Sequence, residues 1–150
     1  MRIAIASDHA ALALKSALAE YLRSAGHDVT DLGPYDEASV DYPDYGYKLA
    51  HAIADGSAER GVALCGSGIG ISIAVNRNPA ARAALVSEPL SARLSREHND
   101  ANVIAMGARL IGIEMAKACI DAFLSTDFGG DRHQRRVDKL STLLTTKEPA

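Results

Sequence analysis

Apolar positions along the chain fall into short unbroken runs that alternate with stretches of helical spacing. The opening run, Arg2-Ile-Ala-Ile-Ala-Ser7, reads as a buried strand. Residues 10–25 then place Leu12, Leu14, Leu18, Tyr21 and Leu22 among Lys15, Glu20 and Arg23, the pattern of an amphipathic helix closed by Gly26. Residues 27–32 carry Val29 and Thr30 and read as a second strand. Turn chemistry follows at Gly33-Pro34 and at Asp41-Tyr42-Pro43-Asp44. Residues 45–55 are helical and stop at Gly56. Residues 60–65 (RGVALC) form a third strand, and Gly66-Ser67-Gly68-Ile69-Gly70 follows at once. A short helix at 71–76, a strand at 82–86, a helix at 89–98 with Pro89 in its first turn and a strand at 103–106 come next. Helices at 111–124 and 133–144 complete the pattern, and residues 145–150 are expected to fray.

Strands separated by helices of this length imply an α/β fold with a parallel sheet and right-handed crossovers. The expected architecture is a three-layer Rossmann-like fold, a five-stranded sheet of order 2-1-3-4-5 flanked by helices. With no internal repeat and no linker, residues 1–150 read as one domain. In that order strands 1 and 3 are neighbours whose following helices leave to opposite faces, so a ligand crevice opens at their carboxyl ends. The residues at those ends are Ser7-Asp8-His9 and Cys65-Gly66-Ser67-Gly68-Ile69-Gly70.

Composition narrows the function. The 150 residues are 47% hydrophobic and 23% charged, with net charge −3. That suits a globular domain and carries no basic footprint for nucleic acid. No stretch approaches the length of a membrane span, and the start is too polar for a secretory signal. With two cysteines, Cys65 and Cys119, the expected setting is the reducing cytoplasm with both thiols free.

Three glycines in CGSGIG let backbone N–H groups converge on an anion, although the same residues also suit a plain tight turn. No Lys-Ser/Thr follows them, which argues against an NTPase. A thiol at Cys65, near those N–H groups, has the surroundings of a reactive thiolate able to take a proton from a carbon beside a carbonyl. Without its neighbours it reads better as a small buried hydrophobe, the reading given to Cys119. Asp8 beside His9 suits proton relay or sugar hydroxyls, or a simple helix cap. His98-Asn99-Asp100 falls at the end of the fourth helix, where His98 reads first as a cation on the helix dipole. Unless the helix is short, that segment lies at the rim opposite the crevice, which hints at a partner subunit. Arg132 and Arg136 share one helical face and could clamp a phosphate, with Arg109 a third candidate; a solvated basic face is the plainer reading. No ligand spacing supports a metal site.

Taken in order, Ser7-Asp8-His9-Ala10, Asp41-Tyr42-Pro43, CGSGIGI at 65–71, Ser87-Glu88-Pro89, REHNDAN at 96–102, Met106-Gly-Ala-Arg109 and GDRHQRR at 130–136 resemble the ribose-5-phosphate isomerase B family, which includes galactose-6-phosphate isomerase subunits. The resemblance runs to about residue 144. It implies a cofactor-independent aldose–ketose isomerase acting on a phosphorylated sugar through a cis-enediolate, with ribose 5-phosphate as the expected substrate. It implies catalytic roles for Cys65 as the base, Ser67 beside the enediolate and His98 in ring opening. Substrate contacts are implied for Asp8, His9, Tyr42, the Gly66, Gly68, Ile69 and Gly70 turn, Asn99, Arg109, Arg132, His133 and Arg136. It further implies a homodimer or homotetramer whose sites are shared between subunits, so that His98 serves the neighbour's crevice. The first helix begins Ala10-Ala11-Leu12 where the family commonly has Gly and an aromatic. That departure leaves the sugar open among tetrose, pentose and hexose phosphates.

Overall fold

A computed structural model describes residues 1–142. Five parallel strands, β1 (Arg2–Ser7), β2 (Asp28–Asp31), β3 (Arg60–Cys65), β4 (Ala83–Leu85) and β5 (Val103–Gly107), form one sheet. Among the described residues six α-helices accompany them: α1 (Leu12–Ser24), α2 (Tyr42–Ala54), α3 (Ile69–Val75), α4 (Pro89–Asn99), α5 (Ile113–Ser125) and α6 (Arg132–Leu140). A 3-10 turn, His9–Ala11, precedes α1 and is capped by the Asp8 carboxylate, which accepts the Ala10 N–H at 3.0 Å. The third strand has the bounds its sequence predicts. The second helix begins three residues early, because Pro43 sits in its first turn where a missing N–H costs nothing. The expected fraying of 145–150 lies outside the described residues.

The α/β sandwich is the predicted one, but the strand order is β2-β1-β3-β5-β4, so the last two strands exchange places. Burial explains the exchange. β5 (VIAMG) is buried throughout and pairs on both sides, with β3 and with β4. β4 is three residues long and leaves Leu85 46% exposed, which suits an edge. The alternation of strands and helices along a sequence carries no information on which strand takes the interior position.

Side chains alternate across the sheet and divide the core in two. Ile3, Ile5, Val62, Leu64, Ile104 and Met106 meet Leu18 and Leu22 of α1, Ala92 of α4 and Ile120 and Phe123 of α5. The other face is built from smaller residues, Ala4, Ala6, Ala63, Cys65 and Ala105, and packs against Leu49 and Ala50 of α2 and Ile71 and Val75 of α3. Each large side chain fully buried this way contributes roughly 1.5–3 kcal/mol. Cys65 therefore lies on the small-residue face, at the carboxyl end of β3, paired in register with Gly107. Cys119 is fully buried in the other half of the core, where desolvation pushes its thiol pKa up.

Candidate active site

The exchange of β4 and β5 puts the end of β5 beside the glycine-rich turn. The Ala108 N–H donates to the Cys65 carbonyl and the Arg109 N–H to the Gly66 carbonyl, both at 2.9 Å. Arg109 is thereby carried over the turn, and its guanidinium covers Gly66 closely enough that a β-carbon there would sit 3.2 Å from Nη1. On the other side of β3, Asp8 is tied down by its N–H, which donates to the Leu64 carbonyl at 3.1 Å.

The turn itself folds back on the thiol. Gly68 has φ +77°, a left-handed conformation that favours glycine, and its N–H donates to Cys65 Sγ at 3.1 Å. Cys65 is 4% exposed, so sulfur meets the cleft through a narrow opening. Ser67 Oγ accepts the Ile69 N–H at 3.2 Å, which fixes the hydroxyl at the mouth. The Tyr42 ring lies directly on Gly70. Asp8, Tyr42, Cys65, Gly66, Ser67, Gly70, Arg109 and Leu110 together line a cleft of about 280 Å³. A thiol, a hydroxyl, a carboxylate and a guanidinium with no salt bridge among the described residues thus face one small volume.

His9 sits beside this cleft and not in its lining; its Nδ1 accepts the Val40 N–H at 3.1 Å. The remaining sequence-predicted residues form a second group. His98, near the end of α4, stacks on His133 of α6 with ring centroids 4.6 Å apart and planes 17° from parallel. Arg132 and Arg136 flank His133 and make no salt bridge among the described residues. Asn99 borders a separate hollow of about 390 Å³ with Arg82 and Leu140. The chain leaves α4 through Asp100 to enter β5 at Val103, so this group stands at the amino rim of the sheet. The sequence reading expects that separation for His98. It does not anticipate the clamp at Asp100, whose φ of 45° is held by Arg96 at 2.8 Å and Arg82 at 3.2 Å. A helix followed by Asp before a strand is a faint signal for such a cap.

The family model for ribose/galactose isomerase matches residues 3–140. The chain belongs to the ribose/galactose isomerase family. Membership makes it a sugar-phosphate isomerase. It is 42% identical over 142 residues to ribose-5-phosphate isomerase B of Escherichia coli, with 95% of each chain covered. It is 44% identical to D-erythrulose-4-phosphate isomerase of Pectobacterium atrosepticum, with 93% of each covered. Among solved structures, ribose-5-phosphate isomerase B of Thermotoga maritima superposes with TM-score 0.92 at 51% identity, covering 93% of this chain and 97% of that one. Among the described residues of this family member, no helix is long and apolar enough to cross a membrane.

Electrostatics at the second group yield a pH prediction. Partial burial, then the charges of Arg132, His98 and Arg136, hold the His133 imidazole below its ordinary pKa of 6.5. A depressed imidazole favours the fold while uncharged. Its contribution is present above the ordinary value and is lost as pH falls through the folded one. An NMR titration should show His133 protonating at lower pH than a free imidazole. Inorganic phosphate bound between Arg132 and Arg136 should move that titration upward by supplying a negative charge. An unmoved titration at saturating phosphate would place the anion elsewhere.

Proposed function

We propose that the chain interconverts ribose 5-phosphate and ribulose 5-phosphate through a cis-enediolate, with Cys65 moving the proton between C1 and C2. The observation that carries this reading is the thiol at the floor of the cleft, accepting the Gly68 N–H while Ser67, Asp8 and Arg109 converge on the same volume. A proton on a carbon next to a carbonyl is acidic enough to be removed only if the enediolate oxygen is stabilised as charge develops. In this reading the Ser67 hydroxyl and the amides of the Gly66–Gly70 turn hold that oxygen. Asp8, His9 and Tyr42 hold the sugar hydroxyls.

His98 acts in ring opening, Asn99 contacts the sugar, and Arg109, Arg132 and Arg136 take the phosphate with His133 beside them. Since His98 and the α6 arginines stand at the opposite rim from Cys65, the reading requires that a second copy of this chain supply them. Exposed Ile69, Leu85 and Leu110 beside the cleft support that assembly. Ile69, Leu85 and Leu110 also line an apolar hollow of about 260 Å³ that shares Ser67 with the cleft. A homodimer or homotetramer acting in the cytoplasm fits these features.

A second reading keeps the chemistry and changes the sugar. The 44% identity to an isomerase named for D-erythrulose 4-phosphate favours a tetrose phosphate, and a 6-phospho-hexose is the longer alternative. A panel of tetrose, pentose and hexose phosphates compared by kcat/KM decides between them. Highest kcat/KM on the pentose is the expected result; a preference for a shorter or longer sugar overturns the first reading and leaves the second. Deuterium from D2O should enter the product carbon in either case.

A further inference from the structure

We propose that the loop between β2 and α2, clamped by the buried Lys15, holds His9 in the tautomer with its proton on Nε2, so that His9 meets the substrate as a hydrogen-bond donor and not as a base. The proposal deepens the isomerase reading, resting on it for the substrate contact alone.

A backbone N–H can only donate, so the Val40 N–H at 3.1 Å requires a lone pair on His9 Nδ1. The ring proton is then left on Nε2. With Nδ1 occupied and Nε2 protonated, the imidazole has no free lone pair for proton abstraction. Its Nε2–H is left free to donate, suited to a hydroxyl or phosphate oxygen.

Val40 belongs to a loop with no helix or strand of its own, so something else must keep its amide in place. Lys15 anchors the start of that loop from beneath. It is 1% exposed, and its ammonium donates to Asp31 Oδ1 and to the Pro34 carbonyl, each at 2.6 Å. The same Asp31 oxygen accepts the Gly33 N–H at 2.8 Å. The Tyr35 hydroxyl donates to the Asp31 carbonyl at 2.8 Å, and the Tyr35 ring lies 5.1 Å from the Lys15 nitrogen. The Gly33 carbonyl in turn accepts the Ser7 N–H at 3.1 Å, joining the loop to the strand that ends at Asp8. An ammonium removed from water is tolerated only with partners of this quality, and nothing in the isomerisation uses it. Its partners are the start of the loop, and it stands on α1, the helix that follows His9. Lys15 is therefore a positioning residue: it fixes the loop relative to the His9 turn, and the loop fixes the tautomer.

Long-range 1H–15N NMR of the imidazoles in the ligand-free protein at neutral pH tests the first half. The His9 signals, assigned by their loss in His9→Asn, should show an unprotonated Nδ1 and a protonated Nε2. A protonated Nδ1, or averaged shifts, overturns the proposal. The second half is tested with Lys15→Met. Its His9 shifts should average between tautomers while those of His98 and His133 stay in place. KM should rise about tenfold, the scale of one lost hydrogen bond, with kcat less affected. Lower stability with unchanged His9 shifts would make Lys15 merely structural and overturn the link. If Lys15→Met fails to fold, Tyr35→Phe removes only an exposed hydroxyl from the same clamp and should move the His9 shifts in the same direction; unmoved shifts there overturn it. These spectra need no substrate, so their failure is distinct from failure of the sugar assignment.

Discussion

Cys65→Ala should lose turnover by about 10²–10⁴-fold, the usual contribution of a positioned acid–base group. Binding should survive. The thiol is 4% exposed, and its removal leaves Asp8, Tyr42, Ser67 and Arg109 around the cleft. The substitution is also mild for the fold: the neighbouring inward positions Ala63 and Ala105 are already alanine, so the sheet face tolerates a small side chain there. The Gly68 N–H does lose its sulfur acceptor. The measurement is kcat for isomerisation together with calorimetric affinity for the product. Loss of kcat with affinity retained is the expected pair. Unchanged kcat would remove Cys65 as the base and, with it, the mechanism.

The second large effect is regain of activity on mixing two inactive variants. Cys65→Ala and His98→Ala disable residues at opposite rims of the sheet. The five residues of β5 separate those rims by ~13 Å along the strand, more than a five-carbon phosphate spans. If each site takes Cys65 from one protomer and His98 from another, heterodimers carry one intact site. Random exchange in a two-fold dimer then restores about a quarter of the wild-type activity. The check is to exchange the purified variants under mild denaturant, confirm the oligomers by sedimentation and assay the mixture. A mixture that stays inactive while both variants remain assembled would show that no site is shared. Arg136→Ala in place of His98→Ala should complement Cys65→Ala equally, because Arg136 stands on α6 with His133, which stacks on His98.

The alternation of apolar runs and helical spacing was enough to predict the layers, the parallel sheet and a crevice at Asp8 and Cys65. Those features follow from local periodicity and from the handedness of crossovers, both written along the chain. The motif order was enough to point to the family. Lys15 shows where such reading stops. Among charged residues on a helix it reads as solvent-facing, and nothing local distinguishes it from Glu20 or Arg23, which are exposed. Its burial depends on Asp31 and Pro34 arriving over it from the next strand and loop.

The thiol at the glycine turn was visible in the sequence as a candidate, because a strand end, a Cys and alternating glycines are adjacent in the chain. Its surroundings were decided by tertiary structure. Arg109 covers Gly66 only because β5, and not β4, lies next to β3, and that choice rests on which strand can be buried on both faces and paired on both edges. Likewise the orientation of His9 is set by an amide 31 residues away. Sequence determines what each segment tends to form and which residue types it offers. Strand neighbours, and the hydrogen bonds that aim a ring or a guanidinium, depend on contacts between distant segments that no local pattern encodes.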